Sequence, residues 1–151
     1  MRENIIETKS FSFAIRVVKL HKYLTENKKE YILSKQLLRS GTSIGANVTE
    51  SQNAQSNLDF INKMSIALKE TSETKYWIRL LNATDYLTEE ESKSIMADCI
   101  EIENILVKII KTSKEKTRGE ELSTTLTRGP PLFEERYTIE ITLFFHLKLI
   151  V

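Results

Sequence analysis

No proline precedes Pro130, and before Gly119 the chain holds only two glycines, Gly41 and Gly45. With no ring-locked φ and no missing amide donor over that length, nothing in the backbone chemistry interrupts long helices. The single cysteine, Cys99, excludes an intramolecular disulfide and suits a reducing compartment, the cytoplasm. It falls among Ile95, Ile102 and Leu106 at helical spacing, where a small buried hydrophobe is expected rather than a nucleophile. No apolar run reaches the ~20 residues of a spanning helix: the stretch from Ile139 to Val151 is broken by Glu140, His146 and Lys148. Met1-Arg-Glu-Asn-Ile-Ile-Glu7 lacks a signal-type apolar core, so neither targeting nor membrane contact is expected. A formal net charge of +1 excludes a protein that coats nucleic acid by bulk charge; such binding would need a local patch or an assembled ring.

Apolar residues recur at helical spacing in four segments. In the first, Ser10 to Asn27, Phe13, Val17, Leu20 and Leu24 form one stripe and Phe11, Ile15 and Val18 a second beside it. An arc this wide fits either a central position or a subunit interface, and the interface is the expectation. The second segment runs from Lys29 to Gln52, straight through both glycines. The third starts at Ser56, where Ser56 and Asp59 make a capping-box spacing, and passes through Met64, Ala67, Ile78 and Leu81. The fourth opens on Thr88 with Glu89, Glu90 and Glu91 and closes with Lys108, Lys111 and Lys114, each sign matching its end of the helix dipole. Short connections make successive helices antiparallel neighbours. The expected fold is all-α: an antiparallel up-down-up-down four-helix bundle over residues 1–117 with an irregular C-terminal extension.

Residues 118–151 are expected to form a linker and an apolar extension. Thr117 to Pro131 collects Gly119, Gly129, Pro130 and Pro131 with Ser and Thr, while Tyr137 to Leu143 alternates polar with apolar like a strand. A lone strand could join another chain's sheet, fold as a short helix on the bundle, or carry no selected structure.

Glycine in a helix interior costs about 1 kcal/mol against alanine, so Gly41 and Gly45, four apart on one face, imply a close approach. A neighbouring helix is the favoured occupant and a ligand or nucleic-acid strand the minority one. Catalytic sites find little support. Val18 and Leu143 stand where a di-iron bundle needs a glutamate three residues before His21 and His146, and paired cysteines and phosphate loops are absent. No enzyme, cofactor or metal is expected.

Charge is more informative. Between Arg2 and Arg39 nine basic residues face four acidic ones, a local excess of five, whereas residues 40–117 carry nine basic against twelve acidic. Arg16, Lys19, Lys22, Lys28, Lys29, Lys35 and Arg39 are the candidate nucleic-acid-binding set, multiplied if the chain forms a ring. An ordinary solvated face is the competing reading. Gly41, Gly45 and Asn47 are the candidate packing or interface residues; Asn47, with Glu50 and Asn53, could line a cleft or bond within its own helix.

Phe13-Ala-Ile-Arg-Val-Val-Lys-Leu20, Ala67 to Trp77, Asp98-Cys-Ile-Glu-Ile102 and, most specifically, Arg39-Ser-Gly-Thr-Ser-Ile-Gly-Ala-Asn47 resemble the S23-like proteins encoded in bacterial 23S rRNA intervening sequences. The likeness spans Phe11 to Lys116. It implies a homo-oligomer, a ring of five being the expected form, in contact with RNA or ribosomal components. The fold is also similar to the accessory proteins of diversity-generating retroelements, which form basic rings. This chain departs from those in its near-neutral charge, and its tail after Thr117 matches neither group. A protein-interaction module without nucleic acid is the rival expectation.

Overall fold

The computed structural model describes residues 4–128. Four helices follow in order: α1 Ile5–Glu26, α2 Leu33–Ser51, α3 Asn57–Ala83 and α4 Glu89–Arg128, with no strand among the described residues. The chain divides into two compact units, Met1–Lys114 and Glu115–Val151. The first holds the core and every residue of the candidate site. Of the second, the i,i+4 pair Lys116–Glu120, at 3.9 Å, is an ion pair along α4.

Cross-helix pairs fix the arrangement of the first unit. Gly41 abuts Val17 and Gly45 abuts Ser10 between α1 and α2. Arg39 pairs with Glu73 and Lys63 with Glu50 between α2 and α3. Cys99 Sγ donates to the Thr71 carbonyl and Lys75 pairs with Glu103 between α3 and α4. Lys9 with Glu101 and Arg16 with Asp98 close the circuit between α1 and α4. Along the α1–α2, α2–α3 and α1–α4 seams one index rises as the other falls, and between α3 and α4 Asn57, which donates to the Ser113 carbonyl at 3.4 Å, and Thr71, which meets Cys99, run the same way, so all four seams are antiparallel, as the short connections require. Phe13, Val17 and Leu24 of α1, Leu37, Ile44 and Val48 of α2, Met64, Ile78 and Leu81 of α3, and Ile102 and Leu106 of α4 fill the centre. Each fully buried aliphatic or aromatic side chain there contributes about 1.5–3 kcal/mol relative to exposure.

Both N-caps form where the spacing placed them, the second as a full capping box; Asp59 Oδ2 instead accepts from the Gln55 amide at 3.2 Å. Ser56 Oγ accepts from the Asp59 amide at 3.1 Å, and Thr88 and Glu91 exchange both bonds, at 3.2 Å and 2.8 Å. Three boundaries differ from the sequence reading. α1 starts at Ile5, a turn and a half before Ser10, because Ile6 and Ser10 are themselves buried. α2 starts at Leu33 and not at Lys29: Lys29 takes a left-handed φ of 54°, which ends any helix through it. The linker read from Thr117 is corrected over its first part, since α4 continues to Arg128. A Cβ built on Gly119 meets nothing within 4 Å, and one exposed glycine costs only about 1 kcal/mol against strong helix formers on both sides. The strand-like Tyr137 to Leu143 and the apolar end of the chain lie outside the described residues.

The glycine seam is as tight as the sequence implies at one of its two positions. A Cβ on Gly41 would lie 2.8 Å and 2.9 Å from the two methyl groups of fully buried Val17, closer than atoms pack. At Gly45 it would meet the backbone carbonyl of Ser10 at 3.4 Å, an ordinary contact. Gly41 is therefore a steric requirement, whereas Gly45 brings two backbones near each other.

Candidate nucleic-acid interface

The seven basic candidates separate by what their charges do. Arg16 reaches across to α4, where its guanidinium pairs with the Asp98 carboxylate and donates to Ser94 Oγ at 2.9 Å. Arg39 pairs with Glu73, whose same oxygen also accepts from Trp77 Nε1 at 3.1 Å. Both arginines are drawn into seams of the bundle. Lys19, Lys22, Lys28, Lys29 and Lys35 are exposed and have no ion-pair partner among the described residues. They occupy the last turns of α1, the loop that follows, and the first turn of α2, so they gather at one end of the bundle. Lys28 Nζ sits 5.9 Å from the Tyr23 ring centroid, within cation–π range.

The loop carrying them is built around one carboxylate. Glu30, only 6 % exposed, folds back so that Oε1 accepts from the amides of Ile32 (3.0 Å) and Leu33 (2.8 Å) and Oε2 from that of Ser34 (2.6 Å). The Ser34 hydroxyl donates to the Glu30 carbonyl at 2.8 Å, and the Glu30 amide donates to Leu24 O at 3.0 Å. These bonds satisfy the first free N–H groups of α2, whose own N-cap, Ile32, has no side chain able to do so. Burial alone would raise this carboxyl, but the amides of Leu33 and Ser34, the Ser34 side chain and the Ile32 amide outweigh it and hold it below its ordinary value.

Asn47 donates to the Ser43 carbonyl of its own helix at 2.9 Å, so its amide is spent within α2. Glu50 is paired with Lys63. On the α1–α4 side a recess of about 350 Å³ is lined by Arg16, Leu20, Glu90, Glu91, Ser94 and Ile95. Its carboxylates make it a poor seat for phosphate. Cys99, buried in the core, has its thiol pushed up to about 12 by desolvation, with Glu103 and Asp98 adding to the rise and Lys75 opposing it. It is inert at neutral pH. Among the described residues no group of three or more His, Cys, Asp or Glu is placed to hold a metal, and no helix is long and apolar enough to cross a membrane.

Outside the core lies a second feature. Phe11, Ile15 and Val18, the stripe assigned to an interface, are 67 %, 43 % and 38 % exposed on the single chain. Sequence reasoning missed Glu30 and Tyr31. Glu30 looked like one more solvated acid, and its only sequence signal is a serine four residues on, at the start of an apolar period. Tyr31 and Ile32 were absorbed into the second helical segment; the structure leaves them 58 % and 75 % exposed in the loop.

The family model for the 23S rRNA-intervening sequence protein matches residues 2–108, which takes in all four helices as far as Lys108. The chain belongs to that family. A solved structure similar to it is that of a protein with unknown function from the S23 ribosomal protein family of Bacteroides thetaiotaomicron, 53 % identical, with a TM-score of 0.72. The match covers 74 % of this chain and 99 % of that one. A comparison with curated proteins gives no match. The match to the 23S rRNA-intervening sequence protein family therefore includes the glycine seam, the Glu30 loop and the lysine end, and stops before the last turns of α4.

Proposed function

We propose that this chain acts without catalysis, as a homo-oligomeric binding or scaffolding protein of the cytoplasm that contacts RNA or a ribosomal component, with a ring of five as its form. The observation that carries this reading is the stripe Phe11, Ile15 and Val18, which lies across α1 from the side that builds the core and is uncovered on one chain. An apolar arc of that kind is hidden when copies associate. The RNA part is supported by the five lysines at one end that have no ion-pair partner among the described residues and by the family's description as 23S rRNA-intervening sequence protein. Repetition around a ring would turn a modest patch into a field several-fold larger.

A second reading, a protein-interaction module with no nucleic-acid contact, is favoured by one observation: Arg16 and Arg39, the basic side chains best suited to bidentate phosphate contact, are already paired. Sedimentation and salt titration separate the two. The parent is expected to sediment as an oligomer at micromolar concentration, and Phe11→Glu with Ile15→Glu to sediment as a monomer of unchanged helicity. A monomeric parent would overturn the assembly. RNA affinity that falls steeply with salt supports the phosphate contact, and the absence of RNA binding hands the lead to the protein module.

A further inference from the structure

We infer that the α1–α2 loop is a preformed contact for single-stranded RNA, in which the Tyr31 ring stacks on a base while Lys28, Lys29 and Lys35 hold the flanking phosphates. This rests on the RNA reading above and gives it a place and a strand type. Three observations combine. The loop's only acid, Glu30, is turned inward and committed to three amides and the first turn of α2, so every charge the loop presents outward is positive. Those cations have no ion-pair partner among the described residues, unlike Arg16 and Arg39. Between them stands an exposed aromatic ring, 58 % accessible, flanked by Ile32 at 75 %.

Lysines beside an open ring are the pairing that single strands need, since every base has a stackable face and every linkage a phosphate. A duplex offers this loop only phosphates, because its bases are stacked on each other. The loop is also held in place before any partner arrives. Glu30 ties it to α2, its amide ties it to Leu24, and Lys29 is fixed in the left-handed region. A contact already ordered loses little entropy on binding.

The test uses the full chain and a fluorescein-labelled single-stranded RNA of about 12 nucleotides, with a duplex of the same sequence alongside, read by anisotropy. The single strand is expected to bind more tightly than the duplex. Tyr31→Ala is expected to weaken it at least about fivefold, while Tyr31→Phe, which keeps the ring, binds like the parent. Lys28→Gln with Lys29→Asn, asparagine being tolerant of the left-handed φ, should lower the log–log salt slope by about 1.4. If the parent binds RNA and Tyr31→Ala binds it equally well, the loop assignment fails and the RNA reading stands. If the parent binds no RNA, the RNA reading itself fails. If anionic phosphatidylserine vesicles bind through Tyr31 and single-stranded RNA does not, the loop is a lipid contact and the assignment is overturned. Unchanged melting of the Tyr31 variants confirms that an exposed ring was removed and not a core one.

Discussion

Two turns lie at the same end of the bundle and solve the same problem with opposite electrostatic results. Each contains one residue with left-handed φ, Lys29 at 54° in the first and Asp85 at 62° in the second, and each ends by capping a helix with a glutamate. In the α3–α4 turn the capping carboxylate of Glu91 is exposed beside Glu89 and Glu90, so the start of α4 is acidic on its surface. In the α1–α2 loop the capping carboxylate of Glu30 is buried, and α2 has no other acid in its first turn. The α3–α4 turn is thus stabilised by surface charge that complements the helix dipole, the α1–α2 loop by a desolvated anion held on amides. The difference shows how a nearly neutral chain displays a positive loop: the compensating charge is present and hidden from solvent.

If burial is what separates the two caps, removing them should not cost the same. Glu30→Ala is expected to lower stability by about 2–3 kcal/mol, since hydrogen bonds to a charged group in a buried site are among the stronger ones. Glu91→Ala should lose about 0.5–1 kcal/mol, the range of an exposed cap. Urea unfolding of both variants checks this, and equal losses would dissolve the distinction.

Acid should sharpen the contrast. A carboxyl whose value in the folded protein lies below its ordinary 4.5 contributes its full stability above that pH and loses it as pH falls through the depressed folded value. The stability gap between the parent and Glu30→Gln is therefore expected to be constant from pH 7 to about 5 and to close progressively below 4.5. A gap independent of pH would mean that the carboxylate's charge is irrelevant to the loop.

The smallest expected effects concern the outward charges themselves. Glu90→Gln removes an acid from the positive end of α4 and should destabilise by a few tenths of a kcal/mol at low salt. Lys35→Gln, at the corresponding end of α2, should leave stability unchanged or raise it slightly, because a cation there gains nothing from the helix dipole. Thermal melts at two salt concentrations read both. A clear destabilisation by Lys35→Gln would show that this lysine serves the fold and is not free for a partner.

The helices were legible from Phe13, Val17, Leu24, Ile44 and Ile102, whose spacing alone defines a buried face, and from the N-caps Ser56 and Thr88, which are local by construction. Gly41 was legible because a glycine kept inside an apolar helix needs a reason, and Val17 supplies it. The candidate site was only half legible. All seven cations could be found by counting charge, but not which of them are free.

By itself, then, the sequence determined the all-α class, the number and direction of the helices and the excess of positive charge before Ser40, because periodicity, missing prolines and caps act over a few residues. Only the tertiary structure decided which charges are taken up by ion pairs within the bundle. Arg16 meets Asp98 across 82 residues and Arg39 meets Glu73 across 34, distances over which no local pattern carries information. Glu30 stands between the two: its bonds run only to residues 32–34, but its burial needs the neighbouring helices. Its carboxylate is buried because α1, ending at Leu24 and Glu26, and α2, starting at Leu33, are brought side by side by the glycine seam. That packing, together with the loop's own bonds from Glu30 to the first amides of α2, leaves Lys28, Lys29 and Tyr31 exposed.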